Sequence, residues 1–126
     1  MYSHMMVGSN DIGRSKKFYD ATFTAMGGRA GSVDPKGRLI YIHNGSMFLV
    51  TPPIDGQPAT HGNGCTIGFA MTPEQADAWH AAGVANGGTA IEDPPGIREG
   101  GGFKMYLAYL RDPDGNKLCA LHRVTD

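Results

Sequence analysis

The same order of secondary-structure signals occurs twice along this chain of 126 residues. In the first half, the run over 2–8 predicts a strand. Asp11 then stands where a helix N-cap belongs, because its carboxylate can accept hydrogen bonds from the first-turn amides. Gly27-Gly28 ends that helix. Asn44-Gly45 is a strong hairpin signal. Three strands are predicted after the helix, at 28–34, 38–43 and 46–51.

The second half repeats this order after a linker over 52–62 that is rich in proline, glycine and polar residues. Residues 65–71 predict a strand. The helix start that follows has a threonine N-cap at Thr72, a proline at the first helical position and Gln75 to complete a capping box. Further strands are predicted near 88–92, 104–111 and 116–123, and the segment over 93–103 is expected to be irregular.

This duplication predicts an α+β fold built from two βαβββ modules, at 1–51 and 63–126, within a single domain. Each module has one helix, which can cover only one face of its sheet. The other face must be covered by a partner module or left as a cleft. We therefore expect a curved mixed sheet around a cleft, with both helices outside.

Charge and apolar patterning exclude several classes of protein. The net charge is −1, and the lysines and arginines are scattered, so neither nucleic acid nor an anionic membrane is expected as a partner. No apolar run approaches the ~20 residues that span a bilayer. The N-terminus lacks the pattern of a signal peptide, and two cysteines do not form a disulfide framework. We expect a cytoplasmic protein.

The chain resembles the vicinal oxygen chelate superfamily, which includes glyoxalases, bleomycin-resistance proteins and extradiol dioxygenases. The matching stretches are HMMVGSNDIGRSKKFYDATFTAMG (4–27), GNGCTIGFAM (62–71) and YLRDPDGNKLCAL (109–121). The resemblance implies that two modules form a cup, and that inward side chains of the cup hold a metal in the enzymes of the superfamily. It also implies a homodimer, since such proteins pair their modules within or across chains.

The resemblance assigns the four inward positions of this chain to His4, Leu49, Thr66 and Cys119. None of these residues carries the carboxylate that a hard cation such as Mg²⁺ requires. A catalytic zinc or iron site needs about three protein ligands, and His4 with Cys119 makes two. We therefore predict that the chain holds no metal. The alternative is a divalent zinc or iron ion, completed by a further ligand such as His61.

Two functions remain open at this point. The first is a binding module that takes a small, largely apolar or aromatic molecule in the cup. The second is a lyase, isomerase or dioxygenase of the glyoxalase type with an atypical metal site, although the missing ligands argue against glyoxalase I activity in the strict sense. If the protein is such an enzyme, Arg98 could bind a carboxylate group of its ligand. Cys65 is expected to face the helix side as core. The residues predicted to line the cavity are His4, Met47, Leu49, Thr66, Cys119, Tyr106 and Arg98.

Overall fold

A computed structural model describes residues 1–125, which form two helices and two mixed sheets of four and five strands. The helices are α1 (Ile12–Ala25) and α2 (Pro73–Ala85). The strands are β1 (His4–Gly8), β2 (Ser32–Val33), β3 (Leu39–His43), β4 (Ser46–Thr51), β5 (Ile67–Ala70), β6 (Thr89–Ala90), β7 (Gly96–Gly100), β8 (Phe103–Arg111) and β9 (Lys117–Arg123). The predicted α+β class is confirmed.

The two sheets have related strand orders. The first sheet runs β1-β4-β3-β2, and the second runs β5-β9-β8-β6, with β7 also paired to β8. In both sheets the strand that precedes the helix pairs in parallel with the last strand of its module. This arrangement leaves β1 and β5 at the ends of their sheets.

The helix starts follow from the capping residues. The Asp11 side chain accepts from the backbone amide of Arg14 at 3.0 Å. At α2, the Thr72 hydroxyl accepts from the amide of Gln75, and the Gln75 side chain accepts from the amide of Thr72. Each cap satisfies amides that have no partner inside the helix. These local interactions fix both helix starts where the sequence predicts them.

The segment predicted to be irregular over 93–103 contains a strand, so that part of the prediction is wrong. Strand β7 pairs antiparallel with β8, from Gly96 opposite Leu107 to Gly100 opposite Phe103. Its sequence, GIREG, and the prolines before it hide the alternation that marks a strand. The backbone pairing with a long neighbouring strand overrides the low β-propensity of glycine.

A single apolar core joins the two modules between the helices and the sheets. The helices approach closely at Gly83, where an added Cβ would lie 2.4 Å from Leu110 Cδ1 and 3.2 Å from Phe18 Cε1. Phe23 of α1 packs edge-on against Phe69 of β5, with ring centroids 5.7 Å apart. The helix-side faces of the two sheets are therefore buried against one common core.

The turn between β8 and β9 also connects the modules, through buried polar groups. Asp112 is 3% exposed, and its carboxylate accepts from the Tyr19 hydroxyl at 2.5 Å. The Asn116 side chain donates to the carbonyl oxygen of Gly8 at 3.1 Å. Asp114 accepts from the Arg14 guanidinium at 2.8 Å. We call residues 112–116 the inter-module turn.

Within the described residues, no helix is both long enough and apolar enough to cross a membrane.

Candidate functional site

Each sheet has one face packed on the helices and one face turned away from them, which we call the open face. In the first sheet, Val7, Phe48 and Val50 belong to the helix-side core. Side chains of successive strand residues point to opposite faces, so Met6 and Leu49 lie on the open face. In the second sheet, Leu118 and Ala120 belong to the same core, which puts their neighbours on the open face.

Three of the predicted cavity residues lie together on the first open face. His4 is the pairing partner of Met47, and Met6 is the pairing partner of Leu49. Leu49 is 6% exposed but lies outside the helix-side core, whereas Met6 and Met47 are 42% and 38% exposed. Ile42, two residues beyond Ile40 on β3, is also exposed and completes an apolar surface.

Cys119 lies on the second open face, where it pairs with Gly68 of β5 and with Tyr109 of β8. Thr66 precedes β5 by one residue and is exposed. Three of the four family positions therefore lie on the open faces of their own sheets, His4 and Leu49 on the first and Cys119 on the second, and Thr66 lies just before the second sheet begins.

The Cys119 thiol is buried and neutral. Burial raises its pKa above the ordinary value, although a hydrogen bond with the Tyr109 hydroxyl acts in the opposite direction. Burial and the neighbouring Cys119 also raise the pKa of Tyr109. Both groups are thus protonated at neutral pH, and the pair can donate hydrogen bonds but does not supply a thiolate nucleophile.

An ion pair stands beside these two groups. Lys117 Nζ lies 2.5 Å from Glu92 Oε2 and 5.0 Å from the centroid of the Tyr109 ring. Glu92 has a φ of 59°, an uncommon backbone conformation for a residue other than glycine. Neither Lys117 nor Glu92 was predicted as a site residue, because the two residues are far apart in the chain and only the pairing of β8 with β9 explains the position of Lys117.

Arg98 lies on the second open face, opposite Met105, but its guanidinium is already engaged. Its Nη1 donates to the carbonyl oxygens of Pro94, Gly96 and Leu107 at 2.9, 2.9 and 3.1 Å, and its Nη2 donates to the carbonyl oxygen of Asp93 at 2.7 Å. These bonds tie β7 and the preceding segment to β8. A ligand carboxylate would have to compete with four carbonyl groups for this side chain.

Two predicted positions differ from the expectation. Tyr106 lies on the helix face, because its hydroxyl donates to Asp77 of α2 at 2.6 Å and its pairing partner is His122. It is three residues from Tyr109, and strand residues at that spacing face opposite ways. Cys65 was expected in the core, but it is exposed because β5 begins only at Ile67.

The donor set does not fit a catalytic metal ion. His4 and Cys119 belong to different sheets, and the thiol of Cys119 is held neutral by its surroundings. Leu49 offers no donor atom, and a threonine hydroxyl is a poor ligand for Zn²⁺ or Fe²⁺. Among residues 1–125, no group of three or more His, Cys, Asp and Glu side chains is arranged to hold a metal.

Two cavities lie where the edge of β1 faces the edge of β5. The larger, of about 500 Å³, is lined in part by Met6, Gly8, His61, Thr66 and Lys117. The smaller, of about 310 Å³, lies at the opposite end of β1 and reaches the helix-side core. His4 and Met47 line the smaller cavity, Thr66 lines the larger one, and Leu49 and Cys119 line neither.

Solved structures share this fold. A glyoxalase/bleomycin resistance protein from Albidiferax ferrireducens T118 is 60% identical over 98% of this chain and 99% of that one, with a TM-score of 0.93. A family enzyme from Burkholderia phytofirmans PsJN is 20% identical over 97% and 98% of the two chains, with a TM-score of 0.73. The fosfomycin resistance protein FosX from Mesorhizobium loti is 13% identical over 96% and 90%, with a TM-score of 0.66.

No curated protein sequence matches the chain significantly. A sequence model of the Glyoxalase/Bleomycin resistance protein/Dioxygenase superfamily matches residues 2–120, nearly the whole chain. The duplicated modules, the related sheets and this match agree with one another. The chain belongs to the glyoxalase/bleomycin resistance protein/dioxygenase superfamily.

Proposed function

We propose that this protein binds a small, largely apolar or aromatic molecule between its open faces, without a resident metal ion. The observation that carries the proposal is the chemistry of the four family positions, where Leu49 and a neutral Cys119 occupy places that a metal enzyme would fill with carboxylates. Such a surface binds by shape and apolar contact, with a few polar groups to orient the ligand.

The first open face supports an apolar ligand. Met6, Met47 and Ile42 are 42%, 38% and 67% exposed, and Leu49 lies between them. Methionine is unbranched and polarizable, so it adapts to ligands of different shapes. The second open face adds the hydroxyl of Tyr109, while the Cys119 thiol donates to the carbonyl oxygen of Ala120 at 3.5 Å and Lys117 is neutralised by Glu92. The two faces together suit a ligand with an apolar body and one polar end.

The same geometry supports a homodimer. The helices of the two modules pack on each other within the chain and use the helix-side faces, so the open faces carry exposed apolar side chains. A second copy, placed with two-fold symmetry, would cover these faces and enclose a cup between a sheet of one protomer and a sheet of its partner. We further propose that the dimer is cytoplasmic.

The dimer is tested with a matched pair of exposed apolar residues. Ile42 is 67% exposed on the first open face, and Val84 is 48% exposed on α2. Light scattering should give the wild type about twice the chain mass of 13.4 kDa. Ile42→Lys should give a monomer, because it buries a charge at the interface, and Val84→Lys should remain dimeric. A monomeric wild type at micromolar concentration contradicts the proposal.

Ligand binding is tested by labelling the methionine methyl groups with ¹³C and titrating uncharged aromatic and aliphatic molecules. Met6 and Met105 report the open faces, and Met71, 7% exposed in the helix-side core, is the internal control. We expect saturable shifts at Met6 and Met105 that disappear in the Ile42→Lys monomer. Shifts that persist unchanged in the monomer, or no shift with any compound, contradict binding between open faces.

Metal independence needs its own test. The purified protein should contain no stoichiometric divalent metal, and added Ni²⁺ or Mg²⁺ should produce no glyoxalase activity. About one zinc or iron per chain, lost in both His4→Ala and Cys119→Ala variants, would contradict the proposal and favour an enzyme with an atypical metal site.

A second candidate is a glyoxalase-type lyase or isomerase. It is favoured by the hydrogen-bonded Tyr109 and Cys119 pair beside the Lys117–Glu92 ion pair, since these groups can donate or carry protons on the open face. The discriminating variant is Tyr109→Phe. If the protein turns over a bound compound, this variant should lower the rate and leave the affinity unchanged, whereas a pure binding module shows no turnover to lose.

A further inference from the structure

The smaller cavity lies between the modules, mainly on the helix side of the first sheet, and meets the first open face only at His4 and Met47. It is a partly open cleft bounded by the start of β1, the β3–β4 hairpin, the last part of α1 and strand β5. Its volume is about 310 Å³. An engineered apolar cavity of roughly 150 Å³ is large enough to bind benzene. The space therefore suits one substituted aromatic ring or two fused rings.

Aromatic rings from both modules form the floor of this cavity: Phe23, Tyr41, Phe48 and Phe69. Phe23 and Tyr41 stack in parallel with ring centroids 4.5 Å apart and an interplanar angle of 8°. Phe48 and Phe69 meet edge to face at 5.4 Å. The rings offer both faces and edges, the two geometries that aromatic partners prefer. The Tyr41 ring is also oriented by the hydrogen bond that its hydroxyl donates to Asp20 at 2.7 Å.

The charge of the lining limits the ligand. Among the described residues that line the cavity, none is Asp, Glu, Lys or Arg. A charged ligand would lose its hydration and find no opposite charge to replace it. A neutral molecule is therefore favoured.

Polar groups at the mouth can accept or donate one or two hydrogen bonds. Ser3 Oγ lies 2.8 Å from His4 Nδ1, and Asn44 Nδ2 lies 3.2 Å from His43 Nε2. Ser46 is two residues before Phe48 on β4, so its side chain lies on the same face of the sheet as Phe48, which is the cavity side. The ligand would hold its ring against the floor and its polar atom near this mouth.

From these contacts we infer a second binding site, which takes a neutral molecule of one or two aromatic rings in the cavity between the modules. The site does not rest on the proposed function, because its floor faces the helices and the proposed cup faces away from them. His4 and Met47 stand at the boundary between the two regions. Of the floor residues, Phe23, Tyr41 and Phe48 belong to the helix-side core, and Phe69 packs against it.

The test uses indole as a neutral probe, with benzoate and benzylammonium as charged comparisons. Met26 lines only the smaller cavity and Met5 lines both cavities, whereas Met6 and Met105 lie on the open faces, so Met26 is the specific reporter. Indole should shift the Met5 and Met26 signals saturably, and each charged probe should bind at least tenfold more weakly. Absence of saturable shifts at Met5 and Met26, shifts confined to Met6 and Met105, or equal affinity for the charged probes would each overturn the inference.

A pair of exposed serines gives a variant test that does not endanger the fold. Ser46 is exposed at the mouth, and Ser32 is exposed on the opposite face of the same sheet. Ser46→Trp should block entry and weaken indole binding at least tenfold, whereas Ser32→Trp should leave it unchanged. Indole binding that survives Ser46→Trp, or falls equally in Ser32→Trp, contradicts the site. The Ile42→Lys monomer should still bind indole, which separates this site from the cup.

Discussion

Two turns of this protein have the same local construction and different surroundings. Asp34 begins the turn Asp-Pro-Lys-Gly-Arg, and Asp112 begins the turn Asp-Pro-Asp-Gly-Asn. In each, the aspartate Oδ1 accepts from the backbone amides two and four residues later, all at 2.9 Å. In each, the glycine amide donates to the aspartate carbonyl oxygen. The local sequence therefore dictates the same backbone in both places.

The second oxygen of each carboxylate marks the difference. Asp34 Oδ2 pairs with Arg38 Nε at 2.6 Å near the surface. Asp112 Oδ2 accepts from the Tyr19 hydroxyl and from Asn116 Nδ2, deep between the modules. One turn only reverses the chain, while the other also joins two modules. A turn sequence thus predicts backbone geometry but not the energetic role of the turn, which depends on what packs against it.

The largest difference is expected from removing each carboxylate. Asp112→Ala leaves buried donors of Tyr19, Asn116 and the turn backbone without an acceptor, and should lower the free energy of unfolding by about 3 kcal/mol or more. Asp34→Ala should lower it much less, because water can replace the lost bonds. Urea denaturation followed by circular dichroism measures both. Equal losses in the two variants would contradict the comparison.

A single hydroxyl provides a finer version of that test. Tyr19→Phe keeps the ring in the core and removes only the donor to Asp112. We expect a loss of roughly 1–2 kcal/mol. A double-mutant cycle with Asp112→Ala should show that the two changes are not additive, since both act on one bond. Strict additivity would mean that the bond does not couple the modules.

Substituting the glycine of each turn should also lower the free energy of unfolding more at the inter-module turn than at the turn of Asp34. Gly37 and Gly115 both have positive φ, at 77° and 90°, so alanine is strained at either position. An added Cβ meets nothing within 4 Å at Gly37 but lies 2.9 Å from His61 Cδ2 at Gly115. Gly37→Ala should cost about 1–2 kcal/mol from backbone strain alone. Gly115→Ala should cost more in the same urea experiment, and an equal cost would show that His61 moves away freely.

The smallest expected effect is an opposite pH dependence of the two carboxylates. Hydrogen bonds from Arg38 hold the pKa of Asp34 below its usual value, whereas burial raises the pKa of Asp112 despite its hydrogen bonds. The contribution of Asp34 is therefore present above its unfolded pKa of about 3.9 and is lost as the pH falls through the lower folded value. Asp112 binds its proton more tightly in the folded state, so its contribution falls as the pH rises from about 3.9 through the raised value.

Denaturation of the wild type, Asp34→Asn and Asp112→Asn across the acidic range measures these slopes. The difference between wild type and Asp34→Asn should increase with pH, and the difference between wild type and Asp112→Asn should decrease. Slopes of the same sign would show that the two environments are electrostatically alike.

These turns also show what the sequence can predict. Capping residues, Asn44-Gly45 and the Asp-Pro turn at 112–115 act through neighbours a few residues away, so the helix starts and hairpins follow from pattern alone. The bond of Asp112 to Tyr19 joins residues 93 positions apart, and no local pattern reveals it. The same limit explains β7, which is a strand only because β8 lies beside it.

For the candidate site, the sequence could predict the sheet face of a residue wherever strand alternation applied. The faces of His4, Leu49 and Cys119 follow from counting along strands with known turns. Tyr106 was assigned to the cavity by residue type alone. Its spacing of three residues from Tyr109 places the two side chains on opposite faces of β8. Arg98 was expected in an irregular loop but lies on β7, and its four carbonyl partners come from backbone whose path the sequence did not indicate. Glu92 beside Lys117 depends on tertiary structure in the same way.

The inter-module turn has a consequence for biosynthesis. Asn116 contacts Gly8 across a separation of 108 residues, and Asp112 contacts Tyr19 across 93. A ribosome adds residues from the N-terminus, so β1 and α1 emerge long before the groups that hold their junction exist. Contacts of such separation form late and slow the search for the native state. The hydroxyl of Tyr19 therefore has no Asp112 carboxylate to donate to until almost the whole chain has been translated.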